Sequence, residues 1–363
     1  MNEKNILISA TAHLGDFIWA TSAIALLKKT HPDVKITVLA PHSARQLIEG
    51  NSVIDAVLYC PYWLNNNKSR FVKLLWGLKT SISVRFKRFD AIFILDSSRA
   101  SVLIARLAGI KKIIGGDLFW AGFDKPDPIA KRYTIQIKMP KDQDRQHVSL
   151  RYQTLIKSYF GIYNNALPII PDSSKHKENA EKLLGAAKSG ARVILSVTAL
   201  RDSTHIWDLA NFKKVIDLIE ARLPAISFFL IGVAECFEES QKLVFKDNIF
   251  NLCGKTSILE LREIFKMSDL LISMDTGVIH IAATTKLDII SLHGATSPLN
   301  TGPLTPHSTV FYRETDCALC KYRTLFEGFS CPTYPLPKCL AAISPQEVAA
   351  KAILKLQKNK SYE

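Results

Sequence analysis

Apolar runs and polar breaks alternate regularly along this chain, most clearly between Leu270 and Leu292. Leu270 to Ser273 is a short apolar run of strand type, interrupted by Asp275-Thr276-Gly277. Val278 to Thr284 carries Val278, Ile281 and Ala282 at core spacing, which predicts a helix. Leu287 to Leu292 is a second apolar run, closed by His293-Gly294. Strand, turn, helix and strand make one βαβ unit. The same pattern opens the chain. Asn5 to Ser9 reads as a strand, Ala10 to Gly15 as a loop, Phe17 to Lys29 as a helix stopped by His31-Pro32-Asp33, and Lys35 to Leu39 as the next strand. Strand–helix alternation recurs on both sides of Ala166–Pro171, a Pro-bearing segment that reads as a linker. The expected organisation is therefore two α/β domains, 1–170 and 171–342. A last helix, 343–363, is opened by Ser344-Pro345 and expected to return to the first domain.

The turn Asp275-Thr276-Gly277 lies at the carboxyl end of its strand, where open α/β sheets place ligands. Asp275 or Thr276 can cap the helix, and Gly277 lets a ligand approach the backbone. Unpaired N–H groups and the helix dipole there favour an anion, most naturally a phosphate. His280 follows Thr276 by four residues and shares its helical face. A second turn, His293 to Pro298, follows the next strand and should open on the same edge. The first turn, Ala12-His13-Leu14-Gly15-Asp16, lacks G-x-G-x-x-G, which excludes a dinucleotide-dependent dehydrogenase. Cys253-Gly254-Lys255-Thr256 lacks the upstream Gly of a P-loop.

Asp275-Thr276-Gly277-Val278-Ile279-His280-Ile281-Ala282-Ala283, a strand, then Gly294-Ala295-Thr296-Ser297-Pro298, resembles the nucleotide-sugar site of the ADP-heptose:lipopolysaccharide heptosyltransferases, glycosyltransferase family 9. The likeness covers most of the chain in order, although residues 60–150 match only in pattern. It implies an α/β GT-B architecture, two Rossmann-like domains facing a central cleft, and an inverting transfer of heptose from ADP-heptose to a lipopolysaccharide core acceptor. Leu14-Gly15-Asp16 matches the family turn whose Asp is the general base, which makes Asp16 the catalytic candidate; as a bare sequence feature it is equally a helix cap. The resemblance assigns donor binding to Thr198, Arg201, Glu235, Asp275, Thr276, Gly277 and His280. It also exposes a departure. The family Lys before Trp207 is missing, with Thr204 or His205 nearest its place, and Arg201 is available as the phosphate's cationic partner.

The formal charge of +14 and the pI near 9.4 call for a polyanionic partner or for nothing beyond solubility. No zinc-finger, RNP or helix-turn-helix signature accompanies the charge, so nucleic acid is not expected. From Lys68 to Phe89, basic residues alternate with Phe71, Leu74, Leu75, Trp76 and Phe86. This stretch is either an ordinary surface helix or a docking face for phosphorylated lipid or a membrane surface. His13, Lys68, Arg70 and Lys73 are the acceptor-side candidates, for a phosphorylated glycolipid at the inner membrane. No apolar run approaches a bilayer span, and the apolar amino-terminal stretch is broken by His13, Gly15 and Asp16; the expectation is a cytoplasmic, peripheral protein. Cys317, Cys320, Cys331 and Cys339 permit a tetrathiolate site for zinc or iron. Such a metal would pin a loop, since the resemblance implies chemistry that requires no cofactor. Two other readings fit the sequence: a related GT-B enzyme with another sugar nucleotide or a protein acceptor, and a non-catalytic basic protein that binds anionic lipid or nucleic acid.

Overall fold

In a computed structural model the chain forms two compact units, Met1–Pro171 and Asp172–Glu363. The structure describes residues 3–60, 69–119, 126–141, 146–185, 190–197, 205–317, 319–320, 331–333 and 337–360.

The first unit is built on a six-stranded sheet of β1 (Asn5–Ser9), β2 (Lys35–Pro41), β3 (Ala56–Cys60), β4 (Ala91–Ile94), β5 (Lys112–Gly116) and β6 (Ile135–Ile137). The strand order is β3-β2-β1-β4-β5-β6, and every pairing is parallel. Parallel strands are covered on both faces, which is why Ile6-Leu7-Ile8 and Ile92-Phe93-Ile94 are continuous apolar runs, all buried. Helix Leu14–Thr30 follows β1 and is buried at every position from Asp16 to Leu27. A helix apolar all round belongs inside a domain, and this one packs against helix Val148–Phe160. It begins three residues before the expected start at Phe17, with His13 as N-cap.

The second unit repeats the plan with β7 (Ala191–Ser196), β8 (Ile226–Leu230), β9 (Ile249–Asn251), β10 (Leu270–Met274), β11 (Asp288–His293) and β12 (Ser308–Tyr312). The order is β12-β11-β10-β7-β8-β9, again wholly parallel. Counted within its own unit, each sheet follows the same doubly wound course. The order reverses between β1 and β4 in the first sheet and between β7 and β10 in the second.

One expectation is corrected. The last helix, Pro345–Lys360, packs on helix Leu209–Glu220 and on β10 and β11. Its buried face, Val348, Ala349, Ala352 and Leu356, joins the hydrophobic core of the second unit. The apolar spacing of this helix shows that one face is buried but not against which sheet, so the expected return to the first domain was open to this outcome.

Candidate functional site

At the first reversal point, the turn after β1 meets the turn after β4. Asp96, two residues beyond the end of β4, accepts through Oδ2 from the Thr11 backbone N–H and from Thr11 Oγ1 at 2.6 Å. Asp96 does not cap the next helix; Ser98 does, accepting from Ser101 N. Its other oxygen, Oδ1, is buried with no hydrogen-bond partner among the described residues. Burial raises the carboxyl's pKa, against the pull of the two Thr11 donors.

Asp16 sits in the first turn of helix Leu14–Thr30, at the third helical position. Its Oδ2 accepts from the His13 backbone N–H at 2.9 Å, the acidic half of a capping box. Asp16 as a whole is 9% exposed. His13 is an exposed N-cap. Burial lifts the Tyr152 phenol well above its ordinary pKa; the charges of Asp16 and then Asp96 lift it further, with Arg151 opposing. Two carboxyls, one from each turn, thus act on a single buried ring contributed by helix Val148–Phe160.

In the second unit, Asp275 follows β10 and turns its side chain inward, 7% exposed. Its Oδ2 accepts from the hydroxyls of Thr296 and of Thr301, the latter at 2.9 Å. His293 Nδ1 lies 3.6 Å from the same oxygen and His205 Nε2 3.9 Å. Burial works against the carboxylate's charge, but His293, His205, the Thr296 hydroxyl and His280 together outweigh it and hold the pKa at about 2. His293 shows the converse: burial lowers its pKa despite the attraction of Asp275, and His205 lowers it further. At neutral pH the pair is therefore a carboxylate beside a neutral imidazole, and the ionic attraction operates in acid. Neither ring nitrogen of His293, which is fully buried, has a hydrogen bond among the described residues.

Asp275 thereby ties the turn after β10 to the turn after β11. Thr276, at the N-cap, and Gly277, the first helical residue, stay partly exposed at the sheet's carboxyl edge. Thr276 makes no side-chain cap; its hydroxyl lies 3.4 Å from that of Ser273. Helix Gly277–Ala282 is only six residues long, so local N–H groups rather than a long macrodipole would hold an anion. His280 is buried and acts on Asp275 instead of sharing an outward face with Thr276. Glu235 is exposed in the short turn Ala234–Cys236 after β8, two strands from β10. The second turn needs its one glycine for a packing reason: a Cβ at Gly294 would come within 2.5 Å of Cys339 Sγ.

Thr198, Arg201 and Lys68 lie outside the described residues. Arg70 and Lys73 fall on helix Arg70–Lys87, where Lys73 is half-buried. Cys320, Cys331 and Cys339 are buried and Cys317 partly so, all as free thiols. Burial raises the Cys339 thiol to about 11, with Cys320, Cys317 and Cys331 adding to the rise. The sulfurs are near enough to act on one another, yet among the described residues no three ligating side chains are arranged to hold a metal. The roles of Thr296, Thr301 and His293 escaped sequence reasoning. The available signal was a His ending an otherwise apolar strand.

The family model for glycosyltransferase family 9 (heptosyltransferase) matches residues 78–328. Lipooligosaccharide heptosyltransferase 2 of Campylobacter jejuni serotype O:6 is 29% identical over 359 residues, 94% of this chain and 96% of the relative. Lipopolysaccharide heptosyltransferase 3 of Escherichia coli is 25% identical over 295 residues, 78% of this chain and 81% of the relative. Among solved structures, the E. coli ADP-heptose LPS heptosyltransferase II superposes with a TM-score of 0.75 at 18% identity, covering 98% of this chain and 99% of that one.

Proposed function

We propose that this chain, which belongs to glycosyltransferase family 9, the heptosyltransferases, and has the GT-B fold, transfers a heptose from ADP-heptose to a lipopolysaccharide or lipooligosaccharide core acceptor. The chain is a glycosyltransferase. The donor and acceptor are those named for its relatives, and identities of 22–29% to the heptosyltransferases leave this chain's own pair as the point to test.

The observation that carries the reading is the Asp275 clamp. It fixes two adjacent turns at the carboxyl edge of the second sheet and leaves Thr276 and Gly277 accessible between them. A diphosphate would be received there by the backbone N–H groups of Gly277 and Val278 and by the Thr276 hydroxyl. Glu235 would meet the nucleoside, and Arg201 or Thr198 the phosphate charge. Asp16 is the proposed general base. It would take the proton of the acceptor hydroxyl as that oxygen attacks the anomeric carbon. The bond from that carbon to the phosphate oxygen breaks, ADP leaves with the electron pair, and the configuration inverts. The departing negative charge is the one the Thr276–Gly277 turn would stabilise.

A calorimetric screen of ADP-heptose, other sugar nucleotides and ADP tests this reading. Saturable binding of ADP-heptose, weakened at least tenfold by Thr276→Val with Gly277→Ala in a folded protein, is the expected result. Unchanged ADP affinity in the double variant would remove the donor from this turn, and preference for a different sugar nucleotide would replace the heptose.

A further inference from the structure

We propose that helix Arg70–Lys87, with its neighbour Arg99–Leu107, is a docking face that seats the first domain on an anionic lipid bilayer. The inference stands on the surface of that domain and does not depend on which sugar is transferred.

Helix Arg70–Lys87 is amphipathic the wrong way round. The side turned to the domain carries Gly77, Thr80, Ser81 and Val84, of which the last three are buried. Thr80 Oγ1 donates to Trp76 O at 2.8 Å and Ser81 Oγ to Gly77 O at 2.7 Å, so the buried hydroxyls are satisfied within the helix. The large apolar residues point the other way. Phe71, Leu74, Leu75, Leu78, Ile82 and Phe86 recur at spacings of three and four and form one outward stripe. Phe71 is 67% exposed, Ile82 56% and Phe86 82%. Scattered exposed apolar residues need no explanation, but a continuous stripe along about four turns does. The adjacent helix Arg99–Leu107 packs alongside and widens the face with exposed Leu103 and Leu107.

Charge decides the occupant. Lys79, Arg85, Lys87 and Arg88 are exposed around the stripe, as are Arg99 and Arg106 on the second helix. No Asp or Glu occurs from Ala56 to Phe89. A stripe of Phe, Leu and Ile within an acid-free basic rim fits a surface that is apolar below and anionic above, which is the headgroup boundary of a bilayer. The basic side chains can lay their stems along the apolar strip and keep their charges at the phosphates. The attachment is peripheral, because no helix among the described residues is long and apolar enough to cross a membrane.

Sedimentation of the full chain with vesicles tests the proposal, comparing pure phosphatidylcholine with an equal mixture of phosphatidylcholine and phosphatidylglycerol. The wild type should bind the mixed vesicles, bind pure phosphatidylcholine weakly, and be released by salt. Phe71→Ser with Ile82→Ser and Phe86→Ser should cut the bound fraction about tenfold, as should Lys79→Glu with Arg85→Glu. These positions are exposed, so thermal unfolding should be unchanged, and circular dichroism reports any misfolded variant. A wild type that stays in solution with mixed vesicles, or a triple variant that binds like wild type, overturns the proposal. A lipid-free dimer that the triple variant dissolves would assign the face to a second copy of the chain and overturn it equally. None of these readouts uses donor or acceptor, so a failure here leaves the transferase reading intact.

Discussion

Asp96 and Asp275 hold corresponding jobs in the two domains. Each follows a strand at a reversal of strand order, and each joins its own turn to a neighbouring one through threonine hydroxyls. Their protonation nevertheless moves in opposite directions. Asp96 is raised because burial outweighs the Thr11 hydroxyl and the backbone N–H donors around it, with no cation to add to them. Asp275 is lowered to about 2 because His293, His205 and His280 surround it and two hydroxyls donate to it. Burial is common to both, so burial does not set the sign; the inventory of cations and donors around the carboxyl does. The first domain therefore keeps a reluctant anion at its reversal of strand order, whereas the second keeps a committed anion that organises its ligand turns.

The largest expected effect separates chemistry from organisation. Asp16→Asn keeps an acceptor for the His13 N–H, since Asn is itself a good cap, but cannot take a proton. Turnover should fall by about 10²–10⁴-fold, with ADP affinity nearly unchanged. Normal turnover on the true acceptor would reduce Asp16 to a cap and make the first domain's Asp16 as structural as the second domain's Asp275.

Next comes Asp275→Asn. The folded pKa lies below the ordinary 3.8, so the charged form is the one favoured by folding. That stability is present above the unfolded value of 3.8 and is lost as pH falls through about 2. In mild acid, where the imidazole attraction operates, the substitution should cost about 2 kcal/mol, read by urea unfolding, and the cost should shrink as pH falls through about 2. A cost that stays constant from neutral pH down through that window would show that shape, not charge, holds the clamp.

The smallest effect has the reverse sign. Asp96 is raised, so the stability linked to it is complete below 3.8 and falls away as pH rises through its folded value. Measured against wild type, Asp96→Asn should gain stability as pH rises, whereas Asp275→Asn loses it. Parallel pH dependences for the two amide variants would break the comparison.

What the sequence determined by itself was local. Apolar runs marked the strands at Asn5–Ser9 and Leu270–Met274, turn residues marked their carboxyl ends, and the segment before Pro171 marked the division between units. These follow from periodicity and backbone preference, which act over a few residues. Tertiary structure alone decided what each polar residue meets. Asp275 finds its hydroxyl partners twenty-one and twenty-six residues onward and an imidazole from before Trp207. His280 shares a helical face with Thr276 in a projection, but packing draws it inward to Asp275. The same limit governed the last helix and the stripe of helix Arg70–Lys87. A sequence shows that a face is apolar, but whether that face meets its own core, another core or solvent depends on where the sheets lie. Protonation depends on those encounters too, because a charge responds to every neighbour within a few ångströms, whatever its place in the chain.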